Sequence, residues 1–491
     1  MKKLADKTTL MRVLALSLLF LFAAHAFCFF NLTYSGPSVM INVSSGSEAQ
    51  TAGGQYLQPF YWRVRGTVSS PLWVGILSAL YLTGTAALVA RLLGFDHPFA
   101  LFALCGTLML GPAVTSLCAA SLHTADACFL AALLITAGVT CSLRVRRVAA
   151  LPVGAALIAA SLALDSSCLS FGTALALIAL AQDALHGKPG KDILLRGAMT
   201  AGALAAGAAC FFAGYAFMLS HYGLDREAAL QLPAGGSLPG AWLYPIRLLF
   251  APLTAYPHVN VILRALLILL GIAALVLLVR RLAPQRTAVL CAIALLMPLA
   301  VNLPVYARSA PEQTRLAYCL LDVFLIMLLQ NACAALSPAK PVQRAAAGAF
   351  GVLFLGSIVF SNQVYLKKNL EFQSTLSVMT RVLSRIEQTE GYMPGSTPVA
   401  IVGALEDSVL SVPHEGFEHL AALDAAAGNY AASSQSENIW YTWQIMGYPL
   451  NFISTYDQSL LEQREDVQTM PAFPAAGCCR MVDGTLVVKL S

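Results

Sequence analysis

Apolar residues run through most of this chain in long blocks, and polar residues gather in the gaps. Eleven blocks stand out, at 10–30, 71–91, 98–117, 125–143, 148–165, 168–184, 197–219, 260–279, 287–306, 316–335 and 345–364. A bilayer core about 30 Å thick needs about 20 mostly apolar residues per helix. Each block therefore predicts one spanning helix. The first follows Lys2, Lys3 and Lys7 as a signal peptide would. It continues through Phe27-Cys28-Phe29-Phe30, longer than the roughly 7–15 residues of a signal-peptide core, and so reads as an uncleaved first helix.

The pattern changes after Tyr365. Leu370, Leu376, Met379, Val382, Leu383 and Ile386 fall at helical spacing, which predicts an amphipathic helix over 366–389. Pro398-Val-Ala-Ile-Val-Gly reads as a buried strand, and Leu486-Val-Val-Lys-Leu as a terminal strand after the turn Asp483-Gly484. The expectation is an all-α polytopic membrane body over 1–365, with an outer loop at 31–70, and a small α/β domain over 366–491. No internal repeat is visible.

Composition narrows the class. Hydrophobic residues make up 58% and charged residues 11%, against about 25% charged in a soluble domain. A water-soluble chain of this kind would expose apolar patches that soluble monomers avoid. An ordinary cytoplasmic enzyme, a disordered chain and a nucleic-acid binder with a basic face are excluded. Charge is also divided. Residues 366–491 hold seven Lys/Arg and fourteen Asp/Glu, and the rest of the chain holds twenty-three and eleven.

Cytoplasmic loops of membrane proteins are enriched in Lys and Arg. With the N-terminus inside, sixteen basic residues of the body fall on the inner side and seven on the outer. Eleven spans then carry residues 366–491 to the outer face. The expected setting is the cytoplasmic membrane, with the C-terminal domain outside.

The seven outer basic residues, Arg63, Arg65, Arg226, Arg247, Arg264, Arg308 and Arg315, are all arginines. Arginine grips phosphate oxygens with a planar fork. An outer face of arginines and carboxylates beside apolar helices suits an anionic lipid-linked substrate; pairing of these charges at helix ends is the plainer alternative. Arg63, Arg65, Arg308 and Arg315 are the candidate phosphate ligands. Arg315 and Asp322 lie seven residues apart, nearly two helical turns, and share a face. Asp322 at that depth needs a partner or a wet cavity. Glu48 is the only acid in the first outer loop and could serve as a general base, with Asp126 as a second candidate acid. Tyr222, Trp242, Tyr244 and Tyr256 fit an interfacial belt or a sugar-stacking surface. Ten of the twelve cysteines lie in or beside apolar blocks, and Cys478-Cys479 reads as two free thiols or an intermolecular bond. No metal-binding Cys/His spacing is present, so no metal site is expected.

One stretch carries a resemblance. Gly54-Gln-Tyr-Leu-Gln-Pro-Phe-Tyr-Trp-Arg-Val-Arg-Gly-Thr-Val-Ser-Ser-Pro-Leu-Trp-Val-Gly-Ile-Leu-Ser resembles the bacterial glucosyl transferase II family. Pro112 followed by Asp126, Arg315 before the tenth span, Ser361-Asn-Gln-Val-Tyr before the long helix and the ending Val487-Val-Lys-Leu-Ser add to it. The resemblance implies a membrane glycosyltransferase of the GT-C type. Such an enzyme takes a hexose, glucose in the first instance, from a polyprenyl-phosphate donor and passes it to a cell-envelope glycan. The family's key acid in the first outer loop maps to Glu48. No cofactor is implied beyond the lipid-linked sugar, and a divalent cation is left open. Two other classes remain: a transporter or flippase for lipid-linked sugars, which would call for an internal repeat, and a non-catalytic envelope-assembly protein.

Overall fold

The computed structural model describes residues 2–31, 47–144, 150–224, 238–303, 316–335, 340–403, 417, 420, 446–448 and 450–491. Among these, ten helices are long and apolar enough to cross a membrane, and the protein is a multi-pass membrane protein. Each of the eleven apolar blocks contains a helix among its described residues. The spanning helices are α1 (Lys2–Phe30), α4 (Pro71–Leu93), the pair α5 (Pro98–Met109) and α6 (Pro112–Ala120), α7 (Leu122–Arg144), α9 (Cys168–Leu185), α10 (Gly190–His221), α12 (Pro257–Val279), α13 (Pro284–Val301), α14 (Cys319–Ala335, entered through a 3-10 turn at Leu316–Tyr318) and α15 (Lys340–Glu387). The block expected at 148–165 forms α8 (Ala150–Leu164), whose 15 residues fall short of the usual spanning length. Between the spans lie α2 (Ser47–Ala52), α3 (Gln58–Arg65) and α11 (Leu238–Leu249). Leu195, Phe217, Ile262, Leu269, Ile272 and Leu295 are exposed on α10, α12 and α13, as lipid-facing side chains would be.

The chain divides into two compact units. The first holds most of residues 1–362, and the second is built on Gln363–Ser491 with two short stretches from earlier in the chain.

Within the first unit, side-chain hydrogen bonds fix the directions of the helices. His25 Nε2 lies 2.9 Å from Met109 O, and Cys28 Sγ donates to Cys118 O, so α1 runs parallel to α5–α6. Asn362 donates to Ala23 O, and the Thr115 and Ser361 hydroxyls are 2.7 Å apart, so α15 runs the same way. Ser161 on α8 reaches Ala131 O on α7. Nearer the other end of α8, a Cβ placed on Gly154 would lie 2.6 Å from Ser142 Oγ. The short helix α8 therefore runs antiparallel to α7 along much of its length. Gln182 joins the C-terminal ends of α4, α9 and α14 by donating to Leu93 O and accepting from Asn331. These contacts sort the helix ends into two faces. One carries residues 47–70 and the ends near Cys118, Leu122, Leu164, Cys168, Val301 and Leu316. The other carries the ends near Leu93, Leu185 and Ala335.

The span over 98–120 is broken at Leu110-Gly111. Pro112 lacks an N–H and cannot continue the ladder from α5, but it suits the first turn of a new helix. His25 meets the carbonyl of Met109 beside the break. A buried backbone acceptor freed by the break is thereby satisfied.

In the second unit, β1 (Pro398–Val402), β2 (Asn451–Phe452), β3 (Cys479–Val482) and β4 (Thr485–Lys489) form one sheet in the order β2-β1-β4-β3. The β1 strand is parallel to both neighbours, with Ala400 opposite Val487 in register. Strands β3 and β4 form a hairpin across Asp483-Gly484, both at positive φ as a two-residue turn requires. Alternation decides which side chains go where. Val399, Ile401, Leu486 and Val488 pack against Val378, Val382, Leu383 and Ile386 of α15. Ala400, Val402 and Val487 face the other way, toward Val467 and Met470. The helix α16 (Thr455–Glu462) and the short α17 (Glu465–Gln468) follow β2. Cys478 and Cys479 are both free thiols, with sulfurs 3.9 Å apart.

Candidate functional site

Three Arg–Asp ion pairs are described in the first unit: Arg196–Asp183 at the ends of α9 and α10, and two more, Arg65–Asp126 and Arg264–Asp322, toward the other face. The Arg65–Asp126 pair joins the segment after the first span to α7. Leu57 N–H donates to Ala163 O, and Gln58 Nε2 donates to Leu164 O at 2.8 Å, which moors the start of α3 to the end of α8. Tyr215 donates to Ala52 O and so ties α2 to α10. The α3 helix then carries Tyr61 and Arg65 toward Asp126. Gly66 ends it at φ 110, a conformation L-residues rarely take, and its N–H closes on Trp62 O.

Every strong group in this first cluster has a partner. Arg65 Nη1 is 2.7 Å from Asp126 Oδ1, and its Nη2 donates to Ser69 Oγ at 2.9 Å. The Tyr61 hydroxyl donates to Asp126 Oδ2 at 2.7 Å. Side-chain exposure is 1% for Arg65 and 0% for Asp126. Burial, then the adjacent Asp126 carboxylate, push the Tyr61 phenol well above the usual tyrosine range, so it stays protonated and donates. A carboxylate holding an arginine on one oxygen and a phenol on the other, with no solvent access, is a poor proton acceptor for a substrate. This arrangement holds the first loop in place.

The second pair is different. Arg264, two turns into α12, places Nη1 2.5 and 2.6 Å from the two oxygens of Asp322 on α14. Its Nε is buried and has no hydrogen-bond partner among the described residues. Asp322 thus has the partner that its depth in an apolar block calls for, on a helix distant in sequence. The pair lines a cavity of about 80 Å³, enough for several water molecules. The broken span contributes Thr107, Gly111 and Ala113 to the wall, and Leu353, Phe354 and Ser357 of α15 close another side. Thr107 is 5% exposed, and its hydroxyl has no partner among the described residues. The segment Ala251–Thr254 is pressed against α15: Ala255 N–H donates to Gly356 O, and a Cβ on Gly356 would stand 2.6 Å from Thr254 Oγ1.

The residues singled out from sequence separate accordingly. Glu48 sits in the first turn of α2, exposed, with no ion pair or side-chain hydrogen bond among the described residues. Arg63 is also exposed. Arg65 and Asp126 are brought together, with each other as partners. Arg308 and Arg315 lie outside the described residues. Among the described residues no group of His, Cys, Asp or Glu could hold a metal ion. A partner or a cavity beside Asp322 was expected from its depth in an apolar block, and the structure has both; that the partner is Arg264 was not read from sequence. No family model, curated protein or solved structure matches the chain.

Proposed function

We propose that this protein is a polytopic glycosyltransferase of the GT-C type. In this reading it transfers a hexose, glucose in the first instance, from a polyprenyl-phosphate carrier to a cell-envelope glycan on the outer face of the cytoplasmic membrane. The observation that carries the reading is the cavity among membrane helices, apolar over most of its wall and furnished with one arginine, one carboxylate and several hydroxyls. An amphiphile with a polar head and a hydrocarbon tail fits such walls, and the resemblance of residues 54–78 names the class.

Sidedness follows from the alternation of helix ends. If α8 counts as a crossing, there are eleven, and the basic residues of 1–365 described toward the face carrying residues 47–70, Arg63, Arg65, Arg247 and Arg264, are all arginines. The opposite face then has the Lys/Arg-rich segments and lies in the cytoplasm. The C-terminal domain follows the last crossing and is exported.

The chemistry requires an acceptor hydroxyl to attack the anomeric carbon. Its proton passes to a base, the bond from that carbon to the phosphate oxygen breaks, and the lipid phosphate leaves with the electron pair. Glu48 is the base in this reading, because its carboxylate is exposed and no described residue pairs with it. Asp126 is a positioning residue that holds Arg65 and α3. Arginine stabilises charge growing on the departing phosphate oxygen.

Purified protein in lipid vesicles, supplied with labelled polyprenyl-phosphate glucose and envelope glycan, should move label to the glycan. Absence of transfer from every polyprenyl-phosphate hexose tried would sink the proposal. The second reading, a carrier of lipid-linked sugars, is favoured by the broken span, since carriers build sites from discontinuous helices. It predicts that the intact donor crosses the vesicle membrane with no glycosidic bond formed.

A further inference from the structure

Three features of the second cavity converge on one kind of ligand. The first is the edge of Arg264 that no described residue occupies. Asp322 occupies Nη1 alone, and the Nε and Nη2 hydrogens of a guanidinium point in parallel. That edge can grip two oxygens of one oxyanion. The second is the break at Leu110-Gly111. A new helix of nine residues, α6, starts there, and its first turn lines the cavity. Pro112 has no N–H, and the Val114 and Thr115 N–H groups close on Gly111 O, so the turn offers the Ala113 N–H alone, with the partial positive charge of the helix dipole behind it. The third is Thr107, buried and lining the same wall with an unpaired hydroxyl. Leaving such a donor unsatisfied is unfavourable, and a bound oxygen would satisfy it.

The geometry points to this cavity as the seat of the phosphate of a lipid-phosphate ligand, held by the edge of Arg264 that no described residue occupies, the Ala113 N–H at the start of α6 and the Thr107 hydroxyl. The inference rests on the polyprenyl-phosphate reading and moves the phosphate from the arginines singled out in sequence to Arg264. Asp322 has a defined part. It takes one end of the guanidinium and fixes the plane of the fork. The apolar wall of Leu110, Leu248, Leu249, Leu316 and Phe354 suits the first carbons of a hydrocarbon tail.

Binding separates this inference from the reading beneath it. The full chain is placed in phosphatidylcholine nanodiscs, and the affinities for polyprenyl phosphate and for the matching polyprenol are measured. The wild type should prefer the phosphate at least about tenfold, the worth of one charge-assisted hydrogen bond. Excess inorganic phosphate should not displace it, and the preference should persist in phosphatidylglycerol discs. Arg264→Gln/Asp322→Asn, which removes both charges together, should lose the preference. Arg281→Gln, on the opposite face and bonded to Ala335 O, should keep it. Should the double variant fail to fold by gel filtration, Arg264→Lys keeps the charge without the fork and should weaken binding about tenfold. Absence of any wild-type preference overturns the lipid-phosphate reading and this site with it. A wild-type preference that survives in the Arg264 variants overturns this site alone. Displacement by inorganic phosphate overturns the claim that the lipid carries the recognised group.

Discussion

The Arg65–Asp126 and Arg264–Asp322 pairs of the membrane body share their chemistry and differ in completeness. Arg65 and Asp126 are sealed, and Tyr61 and Ser69 take up what the pair leaves over. Arg264 and Asp322 are 18% and 10% exposed, beside a cavity, and one guanidinium nitrogen has no partner among the described residues. A buried ion pair repays its desolvation only when the remaining donors and acceptors are met. The first pair meets that condition from within the chain and reads as a joint. The second leaves it unmet and reads as a seat for something else. Burial and charge alone would have ranked the sealed pair as the better site.

If neither pair is free to take a proton, the base must lie elsewhere, and the largest effect should come from Glu48. Glu48→Gln should lower transfer about 10²–10⁴-fold, the usual contribution of general-base catalysis, with donor binding unchanged. Transfer is read with labelled donor in vesicles and corrected for the amount of folded protein. Near-normal turnover would return the role of base to Asp126 and undo the contrast between the pairs.

The next effect is on stability. Removing one partner of a buried pair leaves an uncompensated charge and costs about 3–5 kcal/mol. Asp126→Asn should show that loss in unfolding experiments in lipid or detergent, and Arg65→Gln/Asp126→Asn should recover much of it. Asp322→Asn should cost less, because Arg264 borders a cavity that water can enter. Equal losses at the two sites would show that both are joints.

Hydropathy alone located all eleven helical blocks, because a block that must match a bilayer announces itself by length. The break at Leu110-Gly111 was hidden inside an apolar run, with only Gly111-Pro112 to mark it. The bond from Arg264 to Asp322 was not legible: it joins helices whose order in the chain says nothing of which faces meet. In the second unit the buried strand at Pro398, the terminal strand and the turn at Asp483-Gly484 are local signals and were readable. The parallel pairing of β1 with β4 closes across more than eighty residues and was not. Arg65 and Asp126 were singled out by residue type, but residue type could not say that they would satisfy each other.

A smaller effect tests how tightly the sealed pair is closed. Tyr61→Phe removes the hydrogen bond to Asp126 Oδ2 and should cost about 1–3 kcal/mol, because a buried carboxylate oxygen is left short of a donor. The pH dependence has a definite sign. The phenol's pKa is raised in the folded protein. The unfolded chain therefore gives up that proton first as the pH passes about 10, and stability falls above that point. Wild type should lose stability more steeply than Tyr61→Phe in that range. Parallel profiles would mean that the phenol is not held by the cluster.

The smallest effect is expected at Thr107, where the two regions make opposite predictions. In a joint, every hydroxyl has a partner, and replacing threonine by the isosteric valine removes a bond and costs stability. Around the cavity the Thr107 hydroxyl has no partner among the described residues, so Thr107→Val deletes a buried group that is satisfied only when a ligand is present. The folded protein without ligand should be as stable as wild type, or more stable by up to about 1 kcal/mol. Affinity for polyprenyl phosphate should fall about tenfold, one hydrogen bond to a charged group, while affinity for the uncharged polyprenol should stay level. Thermal unfolding without ligand and a binding isotherm for each lipid, on wild type and variant alike, make the comparison. Lost stability with unchanged binding would place Thr107 among the structural hydroxyls. The contrast between the two pairs would then rest solely on the edge of Arg264 that no described residue occupies.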